Sequence, residues 1–593
     1  MVATAKPDQE PKERQLLKTE VEGQPSWLKL LWRKGLHGRR NLATKLVWPA
    51  LAAFMLVLMT AAPSLGAERL TLQFGFFGRA VPVSSLESFS QGKLDRHLAG
   101  LLAGLDDTTL SQLQSALATP APEDPLVFSQ KLRTPMGTRL LQTAGLTVKT
   151  GAGLNGQIAL RAALSKAAEA PDGLSVLNIL HHFPTPGVNL DLMRALSIKD
   201  TLQRAIQDTD HWLTAIAAQA DREAADPATY ASLPDLRQQG PYAVRFIELN
   251  LVDESRDRTV PADLFLPNIA NAEEGSIPVV VFSHGLGHSR IYFRDIAKHL
   301  ATYGFAVAMP EHLGSNESQR WAMETWLSSE FFQRREFVNR PQDISFLLDE
   351  LERLNGAELH QRLNMQKVGA IGHSFGGYTV LAAAGATVDF AWLRQQCTPD
   401  THFLANISQL LQCRALESEA IPADRALLSQ GGLRDGRIQL VMTFNTVSNL
   451  FGQQGMARIQ IPTLIAGGVY DFVTPVIPEQ IDTFRWLTTP DKYFLLVDQK
   501  AHGDESTRTL WQFVYALEDE LDIKLAQWWL RSNYKALLVA FAETYLAGRQ
   551  DYRAYLEAGY ARYISVDPFW MHLVRNFDYA VTKDGWEHSP RKG

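Results

Sequence analysis

Apolar positions follow two different rhythms along the chain, and the change falls near Pro241. Between Glu68 and about Gln239 they recur at helical spacing, in LDRHLAGLLAGL, TTLSQLQSAL, LRAALSKAA and KDTLQRAIQDTDHWLTAIAAQAD. Proline and glycine punctuate these stretches at Pro120, Pro122, Pro135-Met136-Gly137 and Pro184-Thr185-Pro186-Gly187. The pattern predicts a mainly helical N-terminal module over 68–200, then connecting helices over 201–240. Beyond Pro241 the apolar residues gather into short extended runs: Ala243–Val252, Thr259–Pro267, Pro278–Ser283, Phe305–Met309, Val368–Ile371, Arg437–Phe444, Thr463–Ala466 and Tyr493–Val497. The first two read as an antiparallel pair that opens a sheet. Helical stretches such as Arg294–Tyr303 and Pro341–Leu354 lie between others. Buried, continuously apolar strands alternating with helices predict an α/β domain over 241–593, its mostly parallel sheet covered by helices on both faces. Ligands of such sheets bind beyond the carboxyl ends of the strands.

Two parts of that domain stand outside the alternation. The stretch 388–437 is a long insertion, carrying FAWLRQQC and FLANISQLLQC, placed to act as a lid over a substrate. The chain closes with amphipathic helices from Ser506 onward, rich in Trp511, Trp528, Trp529, Tyr534 and Tyr545; these read as helices packed on the sheet and on the N-terminal module.

The start of the chain is different again. Met1 to Gln24 is polar, mixed in charge and reads as disordered, within a basic leader over 1–45. From Trp27 to Lys45 every charge is positive: Lys29, Arg33, Lys34, Arg39, Arg40 and Lys45. Residues 46–62 are then apolar apart from Pro49 and Thr60, and Ser64-Leu65-Gly66 or Leu65-Gly66-Ala67 offers a small-residue cleavage site. Basic flank, apolar core and small residues are the layout of a secretory signal over 46–67. Left uncleaved, the same segment would serve as a membrane anchor with its basic side in the cytoplasm. Both readings take the folded part out of the cytoplasm, into a periplasm, a lumen or the exterior.

Composition narrows the function. A net charge of −6 over 593 residues gives no reason to expect a nucleic-acid partner. Cys397 and Cys413 are the only cysteines, and both lie in the insertion. In an exported chain such a pair is a disulfide candidate; in a reducing compartment the two would be free thiols. Neither sits in a metal-ligand pattern, there is no CxxC or HExxH, and His181-His182 is an adjacent pair that cannot face one metal.

The chemistry gathers at KVGAIGHSFGGY, Lys367 to Tyr378. Val368, Ala370 and Ile371 read as a buried strand, and small residues from Tyr378 to Ala386 suit a helix. Between them stands Gly372-His373-Ser374-Phe375-Gly376, and strand, Gly-x-Ser-x-Gly, helix is the setting of a nucleophile elbow. Gly372 and Gly376 flank Ser374 because a side chain at either place would crowd the neighbouring strand and helix. A serine needs a base, and the base needs a group that holds its tautomer and stabilises its charge. After Ser374 come His402 in the insertion, His572 and His588 near the C-terminus, and His502, which alone follows a sheet strand. Three acids compete to orient His502: Asp471, after Thr463–Ala466; Asp389, after the nucleophile helix; and Asp498, very close to His502 along the chain. The strand-end position favours Asp471. The oxyanion of a tetrahedral intermediate needs two backbone N–H donors. Phe375 supplies one and Leu286, in Ser283-His284-Gly285-Leu286-Gly287-His288, the other. Gly285 lets that loop approach the substrate, and His284 reads as its brace.

The combination of FSHGLGHSRIYFRDIAKHLATYGFAVAMPEH with GHSFGGY resembles the platelet-activating-factor acetylhydrolase and dienelactone-hydrolase branch of the α/β-hydrolases, over about Pro241 to Leu510. With its basic leader and helical module, the chain also resembles a group of exported cyanobacterial hydrolases of unassigned substrate. The resemblance implies an α/β-hydrolase fold, a Ser-His-Asp triad and no cofactor. It also implies an acid after the sixth strand, where this chain carries Asn445; the acid role therefore passes to Asp471, after the seventh. Dienelactone hydrolases carry a nucleophilic cysteine where this chain has Ser374.

These features point to a serine hydrolase cleaving a carboxylic ester of a small molecule or lipid, with no metal or organic cofactor required. Two other readings use the same residues: an acyltransferase that hands the acyl group to an alcohol, and a binding protein on a hydrolase fold. Residues 46–62 add a possible association with membrane.

Overall fold

In the computed structural model, residues 66–577 are described apart from 122–123, 399–402, 404, 504–522 and 568. The leader and the apolar segment 46–62 lie outside them, as do His402, His588, Trp511 and much of the C-terminal stretch read as amphipathic helix. Among the described residues no helix is long and apolar enough to cross a membrane.

The central sheet has nine strands. β5 (Val244–Asp253) and β6 (Arg258–Pro267) form the antiparallel pair that opens it. β7 (Ile277–Ser283), β8 (Ala306–Pro310), β9 (Leu363–His373), β10 (Ile438–Phe444), β11 (Thr463–Gly468) and β12 (Lys492–Val497) run parallel to one another, and β8 pairs antiparallel with β6 of the opening pair. β13 (Met571–Val574), which the apolar pattern does not pick out, adds an antiparallel edge. The spatial order is β13-β12-β11-β10-β9-β7-β8-β6-β5.

Successive side chains of a strand point to opposite faces, and here each face meets its own core. Val279, Val281, Ala370, Val441 and Ile465 pack with the helices Glu336–Ala357 and Phe375–Ala383. Val280, Phe282, Ile371, Met442 and Leu464 pack with Arg294–Thr302 and Ile523–Tyr545. Helices on both faces explain why these strands have no polar side.

The N-terminal module is mainly helical but contains a sheet that the helical spacing did not announce. β1 (Arg69–Phe74), β2 (Phe77–Pro82), β3 (Val148–Thr150) and β4 (Gly187–Asp191) pair in the order β2-β1-β4-β3. These strands are short and mostly half-exposed, so they leave no continuous apolar run in the sequence. The boundary expected at 200 falls inside a single helix, Leu192–Glu223. Its Trp212, Ile216 and Ala220 belong to the core of the large sheet, and from Gly66 onward the described residues form one compact unit.

One helix departs from expectation in an informative way. The stretch read as Pro341–Leu354 begins at Glu336, so Pro341 lies inside the helix. Proline has no N–H to give the carbonyl four residues back, and the Phe337 carbonyl is left without that donor. The hydroxyl of Tyr378, on the helix that follows Ser374, donates to it at 2.7 Å. The break in one helix thereby becomes a tie to the helix Phe375–Ala383.

Candidate active site

Strand register brings the site together. Ser283 pairs with Gly372, Phe444 with His373, and Gly468 with Val497. The carboxyl ends of β7, β9, β10, β11 and β12 therefore lie side by side, and the oxyanion loop, Ser374, Asn445, Asp471 and His502 follow them in turn.

Ser374 stands between β9 and the helix Phe375–Ala383 with φ 56° and ψ −120°, a backbone conformation costly for a side chain. Its N–H donates to the Phe444 carbonyl (3.0 Å), and its own carbonyl accepts from Val447 N–H (3.1 Å). The two glycines of the motif are needed for space. A Cβ on Gly372 would lie 2.2 Å from the Gly376 carbonyl oxygen, and one on Gly376 would lie 2.0 Å from that of Ser283.

Ser374 Oγ lies 2.9 Å from His502 Nε2, and His502 Nδ1 lies 2.8 Å from Asp471 Oδ2. Asp471 is buried and well supplied with donors. Val473 N–H (2.9 Å) and Thr474 N–H (2.8 Å) reach Oδ1, while Thr474 Oγ1 (2.6 Å) and Asn445 Nδ2 (2.5 Å) reach Oδ2. Burial pushes the Asp471 carboxyl up, but the facing His502 and the hydrogen bonds from His502, Thr474 and Asn445 outweigh it, so the group stays below the usual carboxylate range. A charged Asp471 keeps the His502 proton on Nδ1 and leaves Nε2 free to accept from Ser374.

The loop after β7 presses on Ser374: a Cβ on Gly285 would lie 3.3 Å from Ser374 Cβ. Among the described residues neither Phe375 N–H nor Leu286 N–H donates to a protein acceptor, which leaves both for a ligand oxygen. His284 is buried and braces this loop. Its Nδ1–H donates to the Gly285 carbonyl (2.8 Å), and its Nε2 accepts from His312 N–H (3.0 Å). Burial and the nearby Arg340 hold its pKa well below the ordinary imidazole range. His288 stacks on His373, their centroids 6.1 Å apart, and His373 Nε2 lies 3.2 Å from the His502 carbonyl oxygen.

Of the competing acids, Asp389 caps the helix Phe390–Gln396 by accepting from Trp392 N–H (2.9 Å), and Asp498 faces His572 at 3.4 Å. Cys397 and Cys413 are joined in a disulfide that closes the insertion.

The sequence did not announce the buried support beneath the loop. Arg340 is fully buried; its guanidinium donates to the His284 carbonyl, to Ser315 Oγ (2.7 Å) and, through Nε, to Thr379 Oγ1 (2.9 Å), and it stacks 4.7 Å from the Phe375 ring centroid. Behind it Asp343 holds Arg258 through two bonds of 2.8 Å and His312 Nδ1 at 3.0 Å, and His312 Nε2 reaches Ser283 Oγ at 2.9 Å. Charges on a helix read as a solvated face, so only the fold reveals that these are buried.

Sheet order, elbow and covering helices together are those of an α/β-hydrolase fold. A family model described as "alpha/beta hydrolase fold" matches residues 278–390, which include the oxyanion loop and Ser374 but neither Asp471 nor His502. A second, described as "Alpha/beta hydrolase of unknown function (DUF1400)", matches residues 66–191, within the N-terminal module. Among curated proteins the chain is similar to platelet-activating factor acetylhydrolase from Bos taurus, 31% identical over 138 residues, and from Canis lupus familiaris, 30% identical over 140 residues. In each case the match covers 18% of this chain and 31% of the relative, so the chain spans less than a third of the length of the relatives it matches.

Proposed function

We propose that the protein is a serine hydrolase that cleaves a carboxylic ester through an acyl-enzyme. The observation that carries this reading is the unbroken line Ser374 Oγ, His502 Nε2, His502 Nδ1, Asp471 Oδ2, with contacts of 2.9 and 2.8 Å. Ser374 Oγ attacks the ester carbonyl as its proton passes to His502 Nε2. The negative oxygen that forms is held by the N–H groups of Phe375 and Leu286. Collapse breaks the bond to the alcohol, which leaves with the proton from His502. Water then attacks the acyl-enzyme, gives a proton to His502, and the acid departs as Ser374 recovers it.

The partial similarity to proteins named platelet-activating factor acetylhydrolase supports an ester substrate of lipid character. The presence of Asn445 where that family's pattern has its acid argues against carrying over the phospholipid itself. The Cys397–Cys413 disulfide supports an oxidising compartment, and hence export by way of residues 46–67.

A fluorophosphonate probe on the full-length protein tests the reading, followed by a panel of esters of varied chain length with and without an added alcohol. Labelling at Ser374 and release of free acid are expected. Transfer of the acyl group to the alcohol in preference to water would make the protein an acyltransferase. Failure of the probe to label Ser374 would remove the enzyme reading.

A further inference from the structure

Two contacts of the N-terminal module with the catalytic part of the molecule lead to different halves of the site. In the first, Gln130 Nε2 donates to the Ser328 carbonyl (3.0 Å), and the Arg133 guanidinium lies 4.9 Å from the Trp326 ring centroid. Both targets lie in the segment that follows β8. That segment holds the oxyanion loop: the Ser315 carbonyl accepts from Gly287 N–H (2.8 Å), and Arg320 Nε donates to the Gly287 carbonyl (3.3 Å). Gly287 directly follows Leu286.

The second contact is on the acid side. Arg139 Nη2 donates to the Cys397 carbonyl (2.8 Å), and its guanidinium lies 5.7 Å from the Phe403 ring centroid. Its helix, Pro135–Thr147, also lies against the insertion helix Ser408–Gln412. Ser408 N–H donates to the Val473 carbonyl (2.8 Å), and Val473 N–H donates to Asp471 (2.9 Å). On the same helix as Arg139, the partly buried Met136 and Leu140 pack against the large apolar core of the catalytic part, to which Phe332 and Phe375 also belong.

Met136, Arg139 and Leu140 stand at i, i+3 and i+4, so they share one face of their helix. We propose that this face is the outer wall of the acyl site, and that it limits the length of the acyl chain that can reach Ser374. The inference rests on the serine-hydrolase reading and deepens it: the substrate is an ester with an apolar acyl chain, and the N-terminal module selects its size. Arg139 binds a carbonyl and an aromatic face across the junction, so it pins the insertion to the wall. An apolar pocket discriminates chain length by modest factors, so a receding wall changes the ratio of rates on long and short chains before it abolishes turnover.

The test uses the full-length protein with Arg139→Ala, Leu140→Ala and Leu140→Trp. Short- and long-chain alkyl fluorophosphonates are compared for their rate of labelling Ser374, and kcat/KM is measured on esters of matching chain length. Arg139→Ala and Leu140→Ala are expected to raise the long-to-short ratio by about three- to tenfold, and Leu140→Trp to lower it by a similar factor. Should Arg139→Ala fail to fold, the opposed Leu140 variants decide the matter. An unchanged ratio with Ser374 labelling intact, or an equal loss on every chain length, overturns the wall and leaves the hydrolase standing. No labelling of the unaltered protein removes both.

Discussion

Asn445 and Asp471 leave the carboxyl ends of adjacent strands, β10 and β11, and their side chains meet: Asn445 Nδ2 lies 2.5 Å from Asp471 Oδ2. The strand end where the acetylhydrolase resemblance implies an acid here carries a neutral donor, and the carboxylate that faces His502 follows the next strand. Asn445 has φ 47°, a region that asparagine tolerates better than most residues. It is thus placed to turn its amide toward the carboxylate.

Replacing Asp471 by Asn keeps the shape and removes the charge. His502 then loses the partner that fixes its tautomer and stabilises the imidazolium. Turnover should fall by roughly two to four orders of magnitude, with KM changed far less. Asp389→Asn and Asp498→Asn, which act on a helix cap and on His572, should keep turnover near that of the unaltered protein. Steady-state kinetics of the three variants on one ester, each checked by circular dichroism, decides between these acids. A crippled Asp389→Asn beside an active Asp471→Asn would move the acid elsewhere.

Asn445→Gly should act more gently. Glycine accepts the positive φ, so the main loss is one hydrogen bond to a buried carboxylate, about 1.5–3 kcal/mol. Since that bond helps to hold the Asp471 carboxyl low, its removal should move the acidic limb of kcat/KM to higher pH. A pH–rate profile that superposes on that of the unaltered protein would show that Asn445 does not tune the acid.

The elbow around Ser374 was legible in the sequence because Gly372 and Gly376 have no room for a side chain, and the approach of His502 because the loop after the last parallel strand returns to the same edge of the sheet. The parallel strands were legible because burial on both faces leaves them without a polar side. The short strands β1 to β4 and β13 were not, since half-exposed runs of three to six residues carry no distinct period. Nor could Thr474 be found: its value lies in reaching Asp471, and nothing local to Thr474 reports that.

The strained serine implies a trade between stability and activity. A residue other than glycine at φ 56° and ψ −120° stores about 1–3 kcal/mol. Ser374→Gly relieves it and gives back about 0.5–1 kcal/mol in chain entropy. The variant should be inactive by several orders of magnitude yet unfold at a temperature equal to or above that of the unaltered protein. A marked drop in Tm would mean that the turn is not strained.

Three buried histidines make stability depend on pH. Burial holds His284, His312 and His373 well below the ordinary imidazole pKa. In the unfolded chain each binds a proton near pH 6.5, so below that pH the unfolded state holds more protons than the folded one. The stability these groups contribute is complete above about pH 6.5 and is lost as pH falls toward their folded values, at up to about 1.4 kcal/mol per pH unit for each. Tm measured from pH 8 down to pH 5 should therefore be level at first and then fall. A profile flat through pH 5 would mean that these histidines are protonated in the folded protein.

The last prediction concerns Arg340, which touches the His284 carbonyl in the oxyanion loop, Thr379 on the nucleophile helix and the ring of Phe375. It also adds a positive charge beside buried Glu336 and Asp343, whose carboxyls burial pushes up and whose direct partners are Arg258 and, for Asp343, Arg256. Arg340→Met would take one cation out of this buried charge network, leave the His284 carbonyl, Ser315 and Thr379 without their donor, and should destabilise the fold by about 3–5 kcal/mol, a loss that says little about catalysis. Arg340→Lys separates the two roles. It restores the charge, but an ammonium on a flexible stem cannot reach three acceptors in the plane of a guanidinium. Lysine should therefore recover most of the Tm lost in the methionine variant while leaving kcat about tenfold or more below that of the unaltered protein, with KM little changed. This split follows if Arg340 fixes the N–H groups of Leu286 and Phe375 where the oxyanion forms, since those bonds strengthen only as charge develops. If lysine restores kcat in step with Tm, Arg340 serves the fold alone, and the geometry of the oxyanion loop is set by His284 and Gly285.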